Sequence, residues 1–273
     1  MRRYTLDPAM PVLLRPDGAV QVGWDPRRAV LVRPQTGMTA AALAELLRTL
    51  QSGATLPELR ERFEIDAGEL VASLLDAGLV TAAGSRRTRC ASIRIHGRGP
   101  LSDLLAGALR CSGAQVTRST DTKAAPPETT DLVVLSDFLV ADPRVVRELH
   151  TARVAHLPVR LRDGAGLVGP LVIPGVTSCL GCADLHRSDR DAAWPAVASQ
   201  LRETVGSADR ATVLATAALA LNQVDRVIRA VRRGDGVGTS TDPPPTLDTT
   251  LEFDVNAGAI VARRWSRHPR CSC

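Results

Sequence analysis

Apolar and polar positions change their rhythm near residue 85. Before it, short apolar runs separated by turns give way to three helical faces. "VLLRPDGAVQVGW" holds two apolar runs about Pro16-Asp17-Gly18, a turn signal, and "AVLVRP" reads as a third strand. Leu43, Leu46, Leu47 and Leu50 recur at i, i+3, i+4 and i+7, which predicts a helix ended by Gly53. Leu56, Leu59 and Phe63 share a second helical face. Leu70, Val71, Leu74 and Leu75 share a third, with Asp66 placed to cap its start and Gly78 its end. Three strands and three helices predict a winged-helix-like module over residues 1–85, followed by the polar linker "TAAGSRRTR".

Residues 86–273 carry an α/β rhythm. "ASIRIHG" reads as a strand, "GRGPLSDLLAGALRCSG" as a loop and helix, and "AQVTRS" as a second strand. "DLVVLS" is a nearly continuous apolar run, the pattern of a parallel strand buried on both faces. "PRVVRELHTAR" predicts a helix; "HLPVRL" and "GPLVIPG" predict strands. The stretch from Asp209 to Arg233 predicts one long helix, apolar almost all round in its first half and so expected to be buried there, with Gly234 as its stop. "TLEFDV" and "AIVARRWS" predict a closing hairpin about Asn256-Ala257-Gly258.

Composition narrows the setting. The 273 residues are 44% hydrophobic but only 3% aromatic, so the core must be aliphatic. The net charge of +5 comes almost wholly from arginine, with Lys123 the single lysine. No long basic run or basic–aromatic patch accompanies it, which argues against a nucleic-acid surface. The third helix of the N-terminal module carries Glu69 and Asp76 and no basic residue, the wrong sign for a DNA-reading helix. "MRRYTLDPAMPVLL" is broken by Asp7, Pro8 and Pro11 and has no signal-peptide core; no apolar stretch is long enough to span a bilayer. A cytoplasmic protein without membrane contact is expected, in a compartment where thiols stay reduced.

Four of the six cysteines then stand out. Cys179 and Cys182 form C-x2-C, and Cys271 and Cys273 sit in the last three residues. A C-x2-C pair is half of a tetrahedral zinc site, and a distant pair completes it. His186 and His268 are close enough in sequence to substitute. A redox C-x-x-C and unrelated buried thiols are the other readings; the pair follows a Pro-Gly turn, which does not favour the redox one. Cys90 and Cys111 lack metal spacing and are expected in the core. "IHGRGPLSDLL" offers Gly97 and Gly99 between a strand and a helix, but Ser102 stands where a dinucleotide fingerprint has its third glycine. Asp121 lies where a ribose-binding acid would fall, yet a plain tight turn fits the loop equally.

Taken in order, the glycine loop, "DLVVLSD", "LPVRL" with "GLVGPLVIPGVTSCLGC", the stretch "LHRSDRDAAWPAVASQL", a long helix and a terminal "HPRCSC" resemble the ThiF/MoeB-like superfamily of ubiquitin-activating-type adenylyltransferases. They are most similar to its actinobacterial cyclodehydratase-partner branch in ribosomal-peptide (thiazole/oxazole-modified) biosynthesis. The likeness covers about residues 90–273, and the N-terminal module resembles a PqqD-like precursor-recognition element. The resemblance implies a Rossmann-like domain with structural Zn2+, a homodimer, a precursor (leader) peptide as ligand, and a YcaO-type ATP-dependent cyclodehydratase or other modifying enzyme as partner. Family members that activate a carboxylate hold ATP and Mg2+ through an Asn–Arg–Gln stretch, a lysine and an acidic motif. Here only Thr120–Thr130 separate the two relevant strands, Lys123 stands alone, and Asp137 is the one acid, slightly out of register.

Adenylation works by positioning and neutralising phosphate charge, so these departures predict a non-catalytic partner protein. Its peptide would add as a strand beside "AVLVR" and lie against the third helix, with Val30, Val32, Leu70 and Ser73 in the groove. The alternative is an active adenylyltransferase acting on a peptide or ubiquitin-like C-terminal carboxylate, with Gly97, Gly99 and Asp137 at its nucleotide site.

Overall fold

A computed structural model describes residues 2–83, 89–120, 130–238 and 243–273. Asp121 and Lys123 lie outside them. The chain divides into two compact units, Met1–Arg87 and Thr88–Cys273.

In the first unit the elements run β1 (Arg3–Leu6), β2 (Val12–Leu14), β3 (Val20–Val22), β4 (Val30–Val32), α1 (Ala40–Gln51), β5 (Ala54–Thr55), α2 (Leu56–Phe63), α3 (Gly68–Asp76) and β6 (Val80–Ala83). The three leucine faces close one core, in which Leu43, Leu46, Leu47, Leu50, Leu59, Leu70, Val71 and Leu74 are buried. Thr39 caps α1, and Thr55 with Glu58 forms a reciprocal capping box on α2. Gly78 ends α3 as expected, its N–H reaching Leu75 O at 2.9 Å while Leu79 N–H reaches Leu74 O. Asp66 acts one position early: it accepts from Gly68 N, and Ala67 occupies the cap.

The strands form two small antiparallel sheets, β2-β3-β4 and β5-β1-β6. The second was not legible from pattern. β1, β5 and β6 are short and gain their partners only through residues about 50–80 positions away, such as Arg3 with Thr55 and Ala83.

The second unit runs β7 (Ser92–His96), α4 (Pro100–Leu109), β8 (Gln115–Ser119), β9 (Leu132–Ser136), α5 (Pro143–Thr151), β10 (Ala155–Arg162), β11 (Ala165–Val168), α6 (Leu180–Ser188), α7 (Trp194–Leu201), α8 (Arg210–Arg233), β12 (Thr249–Asp254) and β13 (Ala259–Arg264). One sheet holds them in the order β13-β12-β11-β10-β9-β7-β8. β8, β7, β9 and β10 run parallel, and β11, β12 and β13 add antiparallel. Alternation sorts the two faces. Ile93, Ile95, Leu132, Val134, Leu157, Val159 and Leu161 pack under α4 and α8, while Val133 and Leu135 pack under α5.

Three expectations need correction. "GPLVIPG" is not a strand: among the described residues its only ladder contacts are isolated bridges, His156 with Val172 and Leu171 with Leu247. The strand lies just before it, at β11, which returns from β10 through Asp163-Gly164, both with positive φ. An Asp-Gly pair is the preferred two-residue hairpin turn, so the signal was present. The first half of α8 is not buried all round, since Ala211, Leu214 and Ala218 lie on an exposed stripe. Cys90 and Cys111 are exposed, not core residues. No helix of the described residues is long and apolar enough to cross a membrane.

Candidate metal centre and glycine loop

The C-x2-C pair opens a helix. Cys179 is the N-cap of α6, its Sγ accepting from Cys182 N at 3.4 Å. The sequence reading missed both α6 and this cap. The loop is fixed from outside by Asp248, which accepts from Ser178 N at 2.6 Å and Ser178 Oγ at 2.7 Å. Asp248 N-terminally flanks β12, whose hairpin partner β13 leads to the tail.

Local bonds then hold the tail against α6. Trp265 N–H reaches Asp248 O at 2.7 Å, and Arg267 donates to Gly175 O at 2.8 Å. His268 Nδ1 accepts from Arg270 N, so its proton sits on Nε2, which donates to Asp189 at 2.7 Å. The Arg270 guanidinium pairs with the same carboxylate. The His268 bond holds Asp189 below the usual carboxylate range; desolvation opposes it, and the Arg270 charge adds to it. His186 bonds Ser266 O at 3.2 Å. Both histidines are therefore engaged elsewhere, and neither joins the thiol cluster.

The four thiols converge. The Sγ atoms of Cys179, Cys182, Cys271 and Cys273 all lie within 4.8 Å of one another. Cys179 to Cys182 is 3.8 Å, Cys179 to Cys271 is 3.5 Å and Cys182 to Cys273 is 3.4 Å. A tetrahedral ion with metal–sulfur bonds of about 2.3 Å requires sulfur–sulfur edges of about 3.8 Å. A disulfide requires about 2.05 Å. The donor set and spacing therefore fit a metal ion such as zinc. Burial raises the Cys179 and Cys273 thiols. Burial also opposes ionisation of Cys182, but the backbone donors of Cys179 and His268 and the neighbouring thiols outweigh it and bring that thiol down to about 7. A bound cation would draw the thiol protons off.

The glycine loop has a different occupant. Asp137, 1% exposed and at φ 73°, places its carboxylate on the N-terminus of α4. Oδ1 accepts from Leu101 N at 2.9 Å and Oδ2 from Ser102 N at 3.1 Å; Ser102 Oγ also donates to Oδ2. These are the donors that would meet a phosphate in a dinucleotide-binding fold. A Cβ on Gly97 would lie 2.2 Å from Ser136 O, and one on Gly99 would lie 2.7 Å from Asp137 Oδ1. The glycines thus admit the β9 end and its aspartate. The structure brings Gly97, Gly99 and Asp137 together, in contact with one another.

The peptide-groove candidates divide. Val30 and Val32 are partly buried and pack onto the core of the first unit, and Leu70 is buried in that same core. Ser73 is exposed and donates to Glu69 O. The residue of β4 that faces outward is Leu31, 51% exposed, and the pattern had not singled it out.

No protein-family model matches the chain, and no curated protein matches it. Solved structures share its fold. A heterocyclase in complex with substrate and cofactor aligns with TM-score 0.70 at 15% identity, over 100% of this chain and 39% of that one. The heterocyclase TruD aligns with TM-score 0.68 at 16% identity, over 100% and 42%. The chain thus spans about two fifths of these heterocyclases. Escherichia coli MccB with ATP aligns with TM-score 0.58 at 14% identity, over 99% of both chains. The fold is that of MccB and of part of the heterocyclases.

Proposed function

We propose that this chain is a non-catalytic, ThiF-like partner protein that binds a precursor (leader) peptide and presents it to a peptide-modifying enzyme. On this reading residues 1–85 are a winged-helix-like, PqqD-like recognition module, and residues 86–273 are a body clamped by structural Zn2+ on Cys179, Cys182, Cys271 and Cys273. The observation that carries it is Asp137: its carboxylate already satisfies the α4 N-terminal donors that nucleotide phosphate would need. The peptide half draws support from β4, which ends the β2-β3-β4 sheet and offers a free edge among the described residues. The fold likeness to a heterocyclase solved with substrate, and to MccB solved with MccA, supports the same assignment. The partner is a YcaO-type cyclodehydratase or similar enzyme, and the protein works in the cytoplasm, as a homodimer.

Calorimetric titration of candidate leader peptides tests this. Binding by the full chain and its loss on deletion of residues 1–85 are expected; binding that survives the deletion would sink the recognition role. A second reading, an active adenylyltransferase, is favoured by the nearly end-to-end alignment with MccB bound to ATP. It requires Asp137 to leave the α4 N-terminus, and ATP–pyrophosphate exchange with a peptide acceptor would establish it.

A further inference from the structure

β10 runs past its parallel neighbour. Its pairing with β9 ends at Val159 opposite Ser136, so Arg160 and Arg162 continue beyond β9 on the face that carries α5. A cavity of about 620 Å³ opens there, one strand away from the glycine loop. A second cavity of about 850 Å³ adjoins it, and Arg160, Arg162, Arg187 and Trp194 line both.

The charges at this junction are unevenly neutralised. Arg162 pairs with Glu252 at 3.1 Å, and Glu252 also takes Arg263 at 2.7 Å. Arg187 pairs with Asp184 at 2.9 Å and lies over the rings of Trp194 and Trp265, 5.0 and 5.2 Å from their centroids. Asp184 accepts from Trp194 Nε1 as well. The Arg160 side chain, only partly accessible, has no hydrogen bond or ion pair among the described residues, and the Arg147 side chain at the cavity wall has none either. Burial first, and then the like charges of Arg187 and Arg162, bring the Arg160 guanidinium down to about 10, which leaves it a cation at neutral pH. The Arg160 guanidinium, half-buried on the cavity wall with Asp184 paired to Arg187 and Glu252 shared by Arg162 and Arg263, is placed to meet an anion that enters the cavity.

We infer that this cavity binds a carboxylate carried next to an aliphatic side chain, as in an acidic peptide segment or a peptide C-terminus, with Arg160 as the anchoring fork and Arg147 at the mouth. The carboxylate matches the bidentate geometry of a guanidinium. The apolar wall of Leu139, Val140, Leu180 and Trp194 matches the aliphatic group. One unpaired guanidinium at depth matches a monoanion better than a polyphosphate. That the ligand is a peptide rests on the function proposed above; that it bears a carboxylate does not.

The test uses the zinc-loaded full chain and four probes: acetyl-Leu-Glu-amide, acetyl-Leu-Leu with a free C-terminus, acetyl-Leu-Gln-amide as the neutral control, and MgATP. Calorimetry and tryptophan fluorescence read binding. At least one acidic probe is expected to bind tenfold or more tightly than the neutral one, and which one does so tells side chain from C-terminus. Arg160→Gln is expected to abolish that preference, and Arg147→Gln, at an exposed position, to weaken it several-fold with zinc content unchanged. Equal binding of the neutral probe, no binding of either acid, or affinity unmoved in both variants would overturn the site. Tighter, Arg160-dependent binding of MgATP would overturn the carboxylate assignment. Dipeptide binding without any leader-peptide binding would leave this site standing and remove the peptide-presenting role.

Discussion

The Sγ atoms of Cys182 and Cys273 lie 3.4 Å apart although the residues are 91 positions apart in the chain. This one relationship ties residues 271–273 to the start of α6. Asp189, at the other end of that helix, holds the same stretch by taking both His268 and Arg270.

Removal of Ser272 and Cys273, or Cys273→Ser, is expected to reduce bound zinc from one equivalent to a small fraction. A structural metal contributes folding free energy directly. A loss of about 3–5 kcal/mol lowers the melting temperature of a unit this size by about 10 °C. Zinc content by mass spectrometry and thermal melting check this; unchanged zinc and melting would refute the clamp.

The two ends of this clamp differed in legibility. The thiols were readable because ligand type and spacing report a metal site locally. Asp189 and Asp248, which aim the tail and the loop at each other, were not. Their partners lie about 70–80 positions away, and nothing in their own neighbourhoods distinguishes them from surface acids. In the same way α1 and α8 were legible from a 3.6-residue period, whereas β1, β5 and β6 exist only through each other. At Asp137 the sequence placed the residue near the glycine loop, but only the positive φ of its backbone turns the carboxylate back onto α4.

Two glycines ten positions apart are expected to respond to alanine with opposite signs. Gly97→Ala drives a Cβ to within 2.2 Å of Ser136 O and is expected to cost about 3 kcal/mol or more. Gly107, in the exposed part of α4, has nothing within 4 Å of the added Cβ, and Gly107→Ala is expected to stabilise by about 0.5–1 kcal/mol. Urea denaturation of the two variants reads both. Gly97→Ala without loss of stability would contradict the close approach of β9 to the loop.

Stability is expected to fall in mild acid through His156. This fully buried imidazole donates Nδ1–H to Val154 O, and its Nε2 has no partner among the described residues. Burial holds it down at about 4, with the nearby His150 adding slightly, against an ordinary value of 6.5. The unfolded chain therefore binds the extra proton first as pH falls. The contribution is complete above about pH 6.5, declines between 6.5 and 4, and amounts to about 3 kcal/mol in all. Denaturation midpoints across this window check the slope, and His156→Leu is expected to flatten it. An equal slope in both proteins would assign the acid sensitivity elsewhere.

Asp137→Asn removes the charge from two backbone donors and one hydroxyl at the α4 N-terminus. It is expected to destabilise the second unit by about 1.5–3 kcal/mol, the ordinary worth of hydrogen bonds to a buried charged group. Thermal melts of the zinc-loaded protein measure it. Stability unchanged within error would mean that the carboxylate does not hold the loop.

Asp137 takes the α4 N-terminal donors on which a dinucleotide-binding fold holds phosphate. Titration of the zinc-loaded full chain with MgATP, followed calorimetrically, tests it most directly. No saturable heat is expected up to about 1 mM, the upper end of ordinary enzyme KM values. Saturable binding below that concentration, accompanied by pyrophosphate exchange, would contradict it.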